Sequence, residues 1–134
     1  MPMFELTNTL SVADQITPED VPILATQGFT VVVCNRPDGE VPDQATMDEV
    51  EAACGASGLL FVRYPINAHN FPGPDIEGLG ALFDDPAQKV LAYCRTGTRC
   101  ANLWVASRTD AERGDAVARS RDIGFDLSLA APRG

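Results

Sequence analysis

The sequence has few basic residues, and this shortage narrows the functions open to it. Ten Lys and Arg stand against nineteen Asp and Glu, which gives a formal net charge of −9 over 134 residues. Binding to nucleic acid depends on neutralising phosphates with Lys and Arg, so we expect no nucleic-acid partner. The same negative field repels small anions, so a protein that acts on them needs its few arginines gathered in one place.

Long apolar segments are also missing. The longest ones, around residues 30–34 and 90–94, are far too short to cross a bilayer. The amino end has no basic region followed by a long apolar run, so we read no secretory signal there. We therefore expect no membrane partner and a cytoplasmic location.

Only four cysteines are present, and their spacing does not suit a metal. They occupy positions 34, 54, 94 and 100, and no gap between them has the paired spacing of a zinc knuckle. In a reducing compartment such thiols stay free. Cys34 and Cys54 lie in strand and helix patterns and are expected to be small core residues. We predict no metal and no cofactor.

Strand patterns and helix patterns alternate along the chain. Predicted strands lie within residues 4–12 and at 29–34, 59–64 and 89–93, and predicted helices lie at 17–28, from about 43–46 to 55–58, and at 75–83, 99–106 and 114–123. Such alternation is typical of a parallel sheet with crossover helices on both faces. We predict a single α/β domain over residues 1–134, with three layers and a central, mostly parallel sheet of four to five strands flanked by helices. Ligands of such sheets bind at the carboxyl ends of the strands.

The segment Val90-Leu-Ala-Tyr-Cys-Arg-Thr-Gly-Thr-Arg-Cys100 has the clearest chemical character in the chain. An apolar strand delivers Cys94 to the sheet edge, a short loop containing Gly97 follows, and then a helix begins. The N–H groups of such a loop converge with the positive end of the helix and form an anion site. This field favours a thiolate, so we predict a lowered pKa and a nucleophilic role for Cys94. Arg99 is predicted to supply donors for an oxyanion.

The rest of the loop contributes candidate binding groups for the same anion. Thr96 and Thr98 offer hydroxyls, and Gly97 offers its backbone N–H and a tight turn. Arg95 is expected to add positive potential at the mouth of the site, together with Arg63.

Two further residues belong to this edge of the sheet. Arg36 follows the strand 29–34, and either it faces the substrate or it holds its own loop through an ion pair with Asp38. Cys100 lies one turn into the helix and is expected to face back toward Cys94. It could act as a resolving thiol or be a small helix residue without a redox role.

The loop resembles the active loop of the rhodanese and Cys-based phosphatase superfamily. More closely, the chain resembles the phosphatase-like domain of β-lactamase-hydrolase-like proteins, a family also described as sulfurtransferases. The segments that carry this resemblance are residues 10–20, 35–40, 93–99, 102–104 and 124–127. The resemblance implies an α/β phosphatase-like fold, with Cys94 as nucleophile and Arg99 as the anion-binding arginine. It also suggests a sulfide-oxidising enzyme as a partner.

Two reaction classes share this loop, and its length bears on the choice between them. The phosphatase signature has His-Cys, five residues and then Arg followed by Ser or Thr. This sequence has Tyr before Cys94, only four residues before Arg99, and a cysteine at position 100. The shorter loop is the length associated with rhodaneses. It offers one N–H fewer to the equatorial oxygens of a phosphoryl group in transfer.

A phosphatase also requires a general acid that protonates the leaving oxygen. The loop at residues 67–70 corresponds in position to the one that carries this acid in dual-specificity phosphatases, and it contains no carboxylate. His69 could serve as the acid or lie passively on the loop. Asp75 could also serve, or it could cap the helix that follows.

Sulfur transfer has lighter requirements, because sulfite or a thiolate leaves as an anion without a proton. We therefore predict a sulfurtransferase that acts through a Cys94 persulfide on thiosulfate or a persulfide, with a thiol as possible acceptor. The alternative is a phosphatase that acts on a phosphoester through a Cys94 phosphocysteine. A non-catalytic binding module is the third possibility, against which the joint presence of Cys94, Gly97 and Arg99 argues.

Overall fold

The computed structural model describes residues 2–130 and contains one mixed sheet. Its strands are β1 (Met3–Glu5), β2 (Leu10–Ala13), β3 (Val31–Cys34), β4 (Leu60–Arg63) and β5 (Val90–Tyr93). They lie in the order β1-β2-β5-β3-β4. Only β1 runs antiparallel to its neighbour, and the other three pairs are parallel. The predicted α/β architecture with a mostly parallel sheet of four to five strands is confirmed.

Five helices cover the two faces of this sheet. They are α1 (Val21–Thr26), which follows a 3-10 turn, α2 (Met47–Ser57), α3 (Ile76–Asp84), α4 (Thr98–Ala106) and α5 (Asp110–Ile123). Buried side chains of α1 and α2 join one hydrophobic core, and those of α3, α4 and α5 join a second. The sheet separates the two cores, which gives the three predicted layers.

The central strands are apolar throughout because both of their faces are covered. Every residue of β3 and β5 is buried. Along β5, Val90 and Ala92 enter the core shared with α3, α4 and α5, and Leu91 and Tyr93 enter the core shared with α1 and α2. Continuing this alternation places Cys94 on the α4 side, where it belongs to the first of these cores.

Local capping explains where helices begin, and it corrects one predicted boundary. Thr46 and Glu49 form the predicted capping box at the start of α2. The last helix was expected from residue 114 but begins at Asp110, because Thr109 and Glu112 form a second box of the same kind. Cys34 and Cys54 are buried in the core, as expected. Within residues 2–130, no helix combines the length and the apolar character needed to cross a membrane.

Candidate active site

The loop between β5 and α4 holds Cys94 at the carboxyl edge of the sheet. The Cys94 N–H donates to the carbonyl oxygen of Ala13 at the end of β2, at 3.3 Å. The loop then turns through Gly97, whose φ of +87° starts α4. This turn directs the Gly97 N–H at the Cys94 Sγ, at 3.1 Å. The sulfur therefore accepts a hydrogen bond from the backbone of its own loop.

The surroundings of Cys94 favour the thiolate. The cysteine is 1% exposed, and burial alone would raise its pKa. The thiol of Cys100 and the N–H groups of Cys100, Thr96 and Arg99 outweigh that effect, and together they lower the pKa of Cys94 to about 5. Cys94 is therefore ionised at neutral pH, as the sequence predicts.

The surroundings of Cys100 shift its pKa in the opposite direction. It is fully buried in the first turn of α4, and burial together with the facing Cys94 raises the pKa of its thiol well above the ordinary value. Cys100 thus keeps its proton and donates it toward the Cys94 sulfur. The structure places it facing back toward Cys94, and its role as a resolving thiol remains a prediction.

Arg99 is held in place by Glu40, which follows β3. Its Nη1 and Nη2 donate to Glu40 Oε2 and Oε1, each at 2.8 Å, and Nη1 also donates to the Ile66 carbonyl at 3.0 Å. A guanidinium has five N–H donors, so two of them, on Nε and Nη2, have no partner among residues 2–130. These two share one edge of the guanidinium, which is the geometry that binds two oxygens of an oxyanion.

Arg36 reaches this arrangement through Glu40 and not through Asp38. Its Nε donates to Glu40 Oε1 at 2.8 Å, and its Nη1 donates to Gln15 Oε1 at 3.0 Å. Asp38 instead accepts the N–H of Met47 at the start of α2, so the ion pair considered from the sequence is wrong. The two arginines hold the pKa of Glu40 down to about 2. The cluster of two cations and one anion carries a net positive charge beside Cys94.

Of the other candidate binding residues, Arg95, Thr96 and Thr98 lie at the loop, and Arg63 pairs with α2. Arg95 and Thr96 are exposed at the loop, and the Thr96 and Thr98 hydroxyls bond each other at 2.8 Å. Arg63 was expected to add positive potential at the mouth. It pairs instead with Asp48 and Glu51 of α2, at 2.6 and 2.9 Å, so its charge is neutralised there.

Both candidate acids named from the sequence make local contacts. Asp75 caps α3, where its Oδ1 accepts the Gly78 N–H at 2.9 Å. His69 is exposed, and its N–H donates to the Asn67 side chain at 2.8 Å within the loop. A catalytic role for either remains a prediction.

Glu40 is the functional residue that sequence reasoning missed. It closes the segment 35–40, in which the sequence predicts roles for Arg36 and Asp38. Its strand β3 lies directly beside β5, so a carboxylate after β3 is within reach of an arginine after β5. The neighbouring order of these two strands is the information that would have found it.

Comparisons with known proteins identify the family of this chain. The sequence profile of the family described as "Beta-lactamase hydrolase-like protein, phosphatase-like domain" matches residues 3–111. A Beta-lactamase hydrolase-like protein of Agrobacterium fabrum is 29% identical over 133 residues, which are 97% of this chain. The chain spans 31% of the length of that relative.

Solved structures share the fold. A candidate phosphatase from Neisseria meningitidis is 30% identical, with a TM-score of 0.76, and the match covers 95% of this chain and 92% of that one. TpbA of P. aeruginosa, solved in complex with pTyr, has a TM-score of 0.66 at 14% identity, over 96% of this chain and 76% of that one. The predicted resemblance to Cys-based phosphatases is therefore confirmed at the level of the fold. By its match over most of its length, this chain belongs to the phosphatase-like domain family of the Beta-lactamase hydrolase-like proteins.

Proposed function

We propose that this chain is a phosphatase that hydrolyses a small phosphomonoester through a phosphocysteine at Cys94. The observation that carries the proposal is the pairing of an ionised sulfur with a clamped arginine. Cys94 has a pKa of about 5, and Arg99 keeps two N–H donors on one edge while Glu40 occupies the other. A nucleophile and a bidentate oxyanion donor are what phosphoryl transfer demands of a protein.

The first chemical step follows from these groups. The Cys94 thiolate attacks phosphorus, the bond from phosphorus to the ester oxygen breaks, and the departing oxygen takes a proton. The Nε and Nη2 edge of Arg99 and the N–H groups of the loop stabilise the equatorial oxygens as charge develops on them. In the second step water attacks the phosphocysteine, the S–P bond breaks, and the thiolate returns with inorganic phosphate released.

Burial of the sulfur limits which esters can react. Cys94 is 1% exposed, whereas Arg95 and Thr96 above it are exposed. The phosphoryl group must therefore enter the loop while the rest of the substrate stays outside it. TpbA was solved with pTyr, and an aryl phosphate of that kind is our first choice of test substrate.

Sulfur transfer is the second candidate, and the length of the loop favours it. The sequence predicts sulfur transfer as the main interpretation, but the matching family is described as a phosphatase-like domain and the Neisseria meningitidis structure as a candidate phosphatase, which supports the phosphoryl alternative. Only four residues separate Cys94 from Arg99, and the loop at 67–70 has no carboxylate to protonate a leaving oxygen. A sulfane sulfur would need neither the longer loop nor the acid.

A paired assay on the purified chain separates these functions. We expect the wild type to release phosphate from 4-nitrophenyl phosphate and from phosphotyrosine. We expect Cys94→Ser to release it at least about 1,000-fold more slowly, because the serine hydroxyl is not ionised. Cys54→Ser, which changes a buried cysteine of α2, is the matched control and should retain the activity.

Two other results would contradict the phosphatase. Transfer of sulfur from thiosulfate to cyanide that requires Cys94, without phosphate release, would establish the sulfurtransferase instead. No turnover in either assay, with a Cys94 thiol that titrates near the ordinary value of about 8.5, would favour a binding module.

A further inference from the structure

The proposed reaction lacks an assigned proton donor, and Asp14 is the carboxylate that the fold brings beside the nucleophile. We propose that Asp14 is the general acid of this site. The proposal rests on the proposed phosphatase function. It also departs from the sequence expectation, which sought the acid at His69 or Asp75.

Strand register places Asp14 next to Cys94. In the parallel pair of β2 and β5, Ala13 is the partner of Tyr93. Asp14 and Cys94 are the first residues after these two neighbouring strands, and the Cys94 N–H donates to the Ala13 carbonyl at 3.3 Å. The two chains thus remain paired up to the point at which both reactive groups occur.

The alternation of side chains puts both residues on one face of the sheet. Val12 and Ala92 belong to the core on the α4 side, and Cys94 belongs to it as well. Ala13 and Tyr93 belong to the opposite core. Asp14 is two residues after Val12 and directly follows the end of β2, so the alternation, extended by one residue past the strand, assigns it to the face of Cys94.

The Asp14 side chain is partly exposed, yet its Oδ1 is buried and has no hydrogen-bond partner among residues 2–130. Leaving a buried polar oxygen unpaired destabilises the folded protein. Native proteins keep few such atoms, and those they keep call for an explanation other than stability. A carboxyl group that must exchange protons with substrate provides one.

The neighbouring residue anchors this segment at the charged edge. Gln15 accepts a hydrogen bond from Arg36 at 3.0 Å, and Arg36 in turn holds Glu40. The titratable and charged groups at the end of β3 and in the residues that directly follow the strands, 14–15, 35–40 and 94–100, are Asp14, Cys34, Arg36, Asp38, Glu40, Cys94, Arg95, Arg99 and Cys100. Glu40 binds Arg36 and Arg99, and Asp38 accepts the Met47 N–H. Among residues 2–130, Asp14 Oδ1 is therefore the buried carboxylate oxygen of this set that has no partner.

In the proposed reaction, Asp14 donates a proton in the first step and regains one in the second. As the thiolate forms its bond to phosphorus and the P–O bond breaks, the Asp14 carboxyl gives its proton to the departing oxygen, and an alcohol or phenol leaves. The Asp14 carboxylate then takes a proton from the water that attacks the phosphocysteine. The S–P bond breaks, the thiolate is restored and Asp14 is protonated again.

The test compares substrates whose leaving groups differ in their need for a proton. Asp14→Asn keeps the shape of the side chain and removes the acid. We expect it to lower kcat on phenyl phosphate by about 100- to 1,000-fold, and kcat on 4-nitrophenyl phosphate by less than about 10-fold, since nitrophenolate leaves unprotonated. Asp14→Ser serves the same comparison if the Asn variant does not fold.

Asp38→Asn is the matched control, because it removes a carboxylate after β3 whose oxygen already has a partner. It should leave the ratio of the two substrates unchanged. An equal loss on both substrates in Asp14→Asn would overturn the proposal, as would no loss on either. A selective loss in His69→Gln or Asp75→Asn would assign the acid to that residue instead. Phosphate release by the wild type that does not depend on Cys94 would overturn the proposed function itself, separately from the role of Asp14.

Discussion

Two cysteines at the same edge of the sheet, Cys34 at the end of β3 and Cys94 directly after β5, have thiols whose pKa values are shifted in opposite directions. Both end a buried strand, and the two strands are neighbours in which Cys34 is the partner of Tyr93. Burial raises the pKa of Cys34 above its ordinary value, whereas the pKa of Cys94 falls to about 5. Burial is common to both, so it cannot be the cause of the difference.

The difference lies in the hydrogen-bond donors that each sulfur meets, and the Cys100 thiol has the largest effect on Cys94. The Cys34 Sγ donates to the Arg36 carbonyl oxygen at 3.2 Å, and desolvation by burial raises its pKa by more than its hydrogen bonds lower it. The Cys94 Sγ accepts from the Gly97 N–H at 3.1 Å, and an N–H favours the thiolate. Reactivity is therefore a property of the loop and the first helical turn that follow the strand, and not of the buried strand that precedes the cysteine.

The two arginines of these loops provide the strongest test of that contrast. Arg99 offers its Nε and Nη2 edge to the oxyanion, while the Arg36 side chain is only 4% exposed and donates to Glu40 and Gln15. We expect Arg99→Lys to lower kcat/KM for 4-nitrophenyl phosphate by about 100- to 1,000-fold, because an ammonium cannot bind two oxygens in one plane.

Arg36→Lys is the comparison for this measurement. It should lower kcat/KM by no more than about 10-fold, since Arg36 acts on the substrate only through Glu40 and Arg99. Equal losses in the two variants would show that both arginines contact the phosphoryl group, and the contrast between the loops would then be wrong.

The next largest effect is expected in the pH dependence of alkylation. Because the pKa of Cys94 is lowered to about 5, its reaction with iodoacetamide should rise through pH 5 and stay level above it. The raised pKa of Cys34 keeps that thiol protonated, so its rate should still be rising at pH 9. At pH 7 we expect mass spectrometry to show Cys94 labelled at least about 30-fold faster, from the difference in ionised fraction.

Removing Cys100 sharpens this measurement. Its thiol is the largest single cause that lowers the pKa of Cys94. Cys100→Ala should therefore move the midpoint of labelling to higher pH, and Cys100→Ser, which keeps a donor, should move it less. Cys54→Ala is the control and should leave the midpoint near 5. A midpoint unaffected by Cys100→Ala would assign the stabilisation of the thiolate to the backbone alone.

Sequence patterns were sufficient for the fold and for the centre of the site, for physical reasons. The strands of a doubly covered sheet are apolar along their whole length, so β3 and β5 could be recognised from four or five residues. The loop after β5 was predicted because a strand, Gly97 and a helix start coincide with Cys94 and Arg99. All of these signals are local in the chain.

The missed features depend on contacts between distant segments. Glu40 and Arg99 are 59 residues apart, and their meeting depends on β3 and β5 being neighbours, which periodicity does not reveal. Arg63 was misplaced for the same reason, because its partners Asp48 and Glu51 lie on a helix that packs beside β4. Side chains that pair across the sheet require its strand order, and only the coordinates supply it.

The smallest effect in this set concerns Gly97, which gives the β5 loop its turn toward the sulfur. An alanine at this position would have to adopt a φ of +87°, and its Cβ would lie 3.2 Å from Phe125 Cε1. Gly97→Ala should lower the free energy of unfolding by about 1–2 kcal/mol, from the left-handed backbone alone. The exposed Gly114 of α5 is the control, since a Cβ there meets nothing within 4 Å, and Gly114→Ala should raise the free energy of unfolding by up to about 1 kcal/mol. Urea unfolding of both variants measures whether each substitution raises or lowers the free energy of unfolding. A Gly97→Ala variant more stable than the wild type would mean that the left-handed turn does not set the direction of the N–H that meets Cys94.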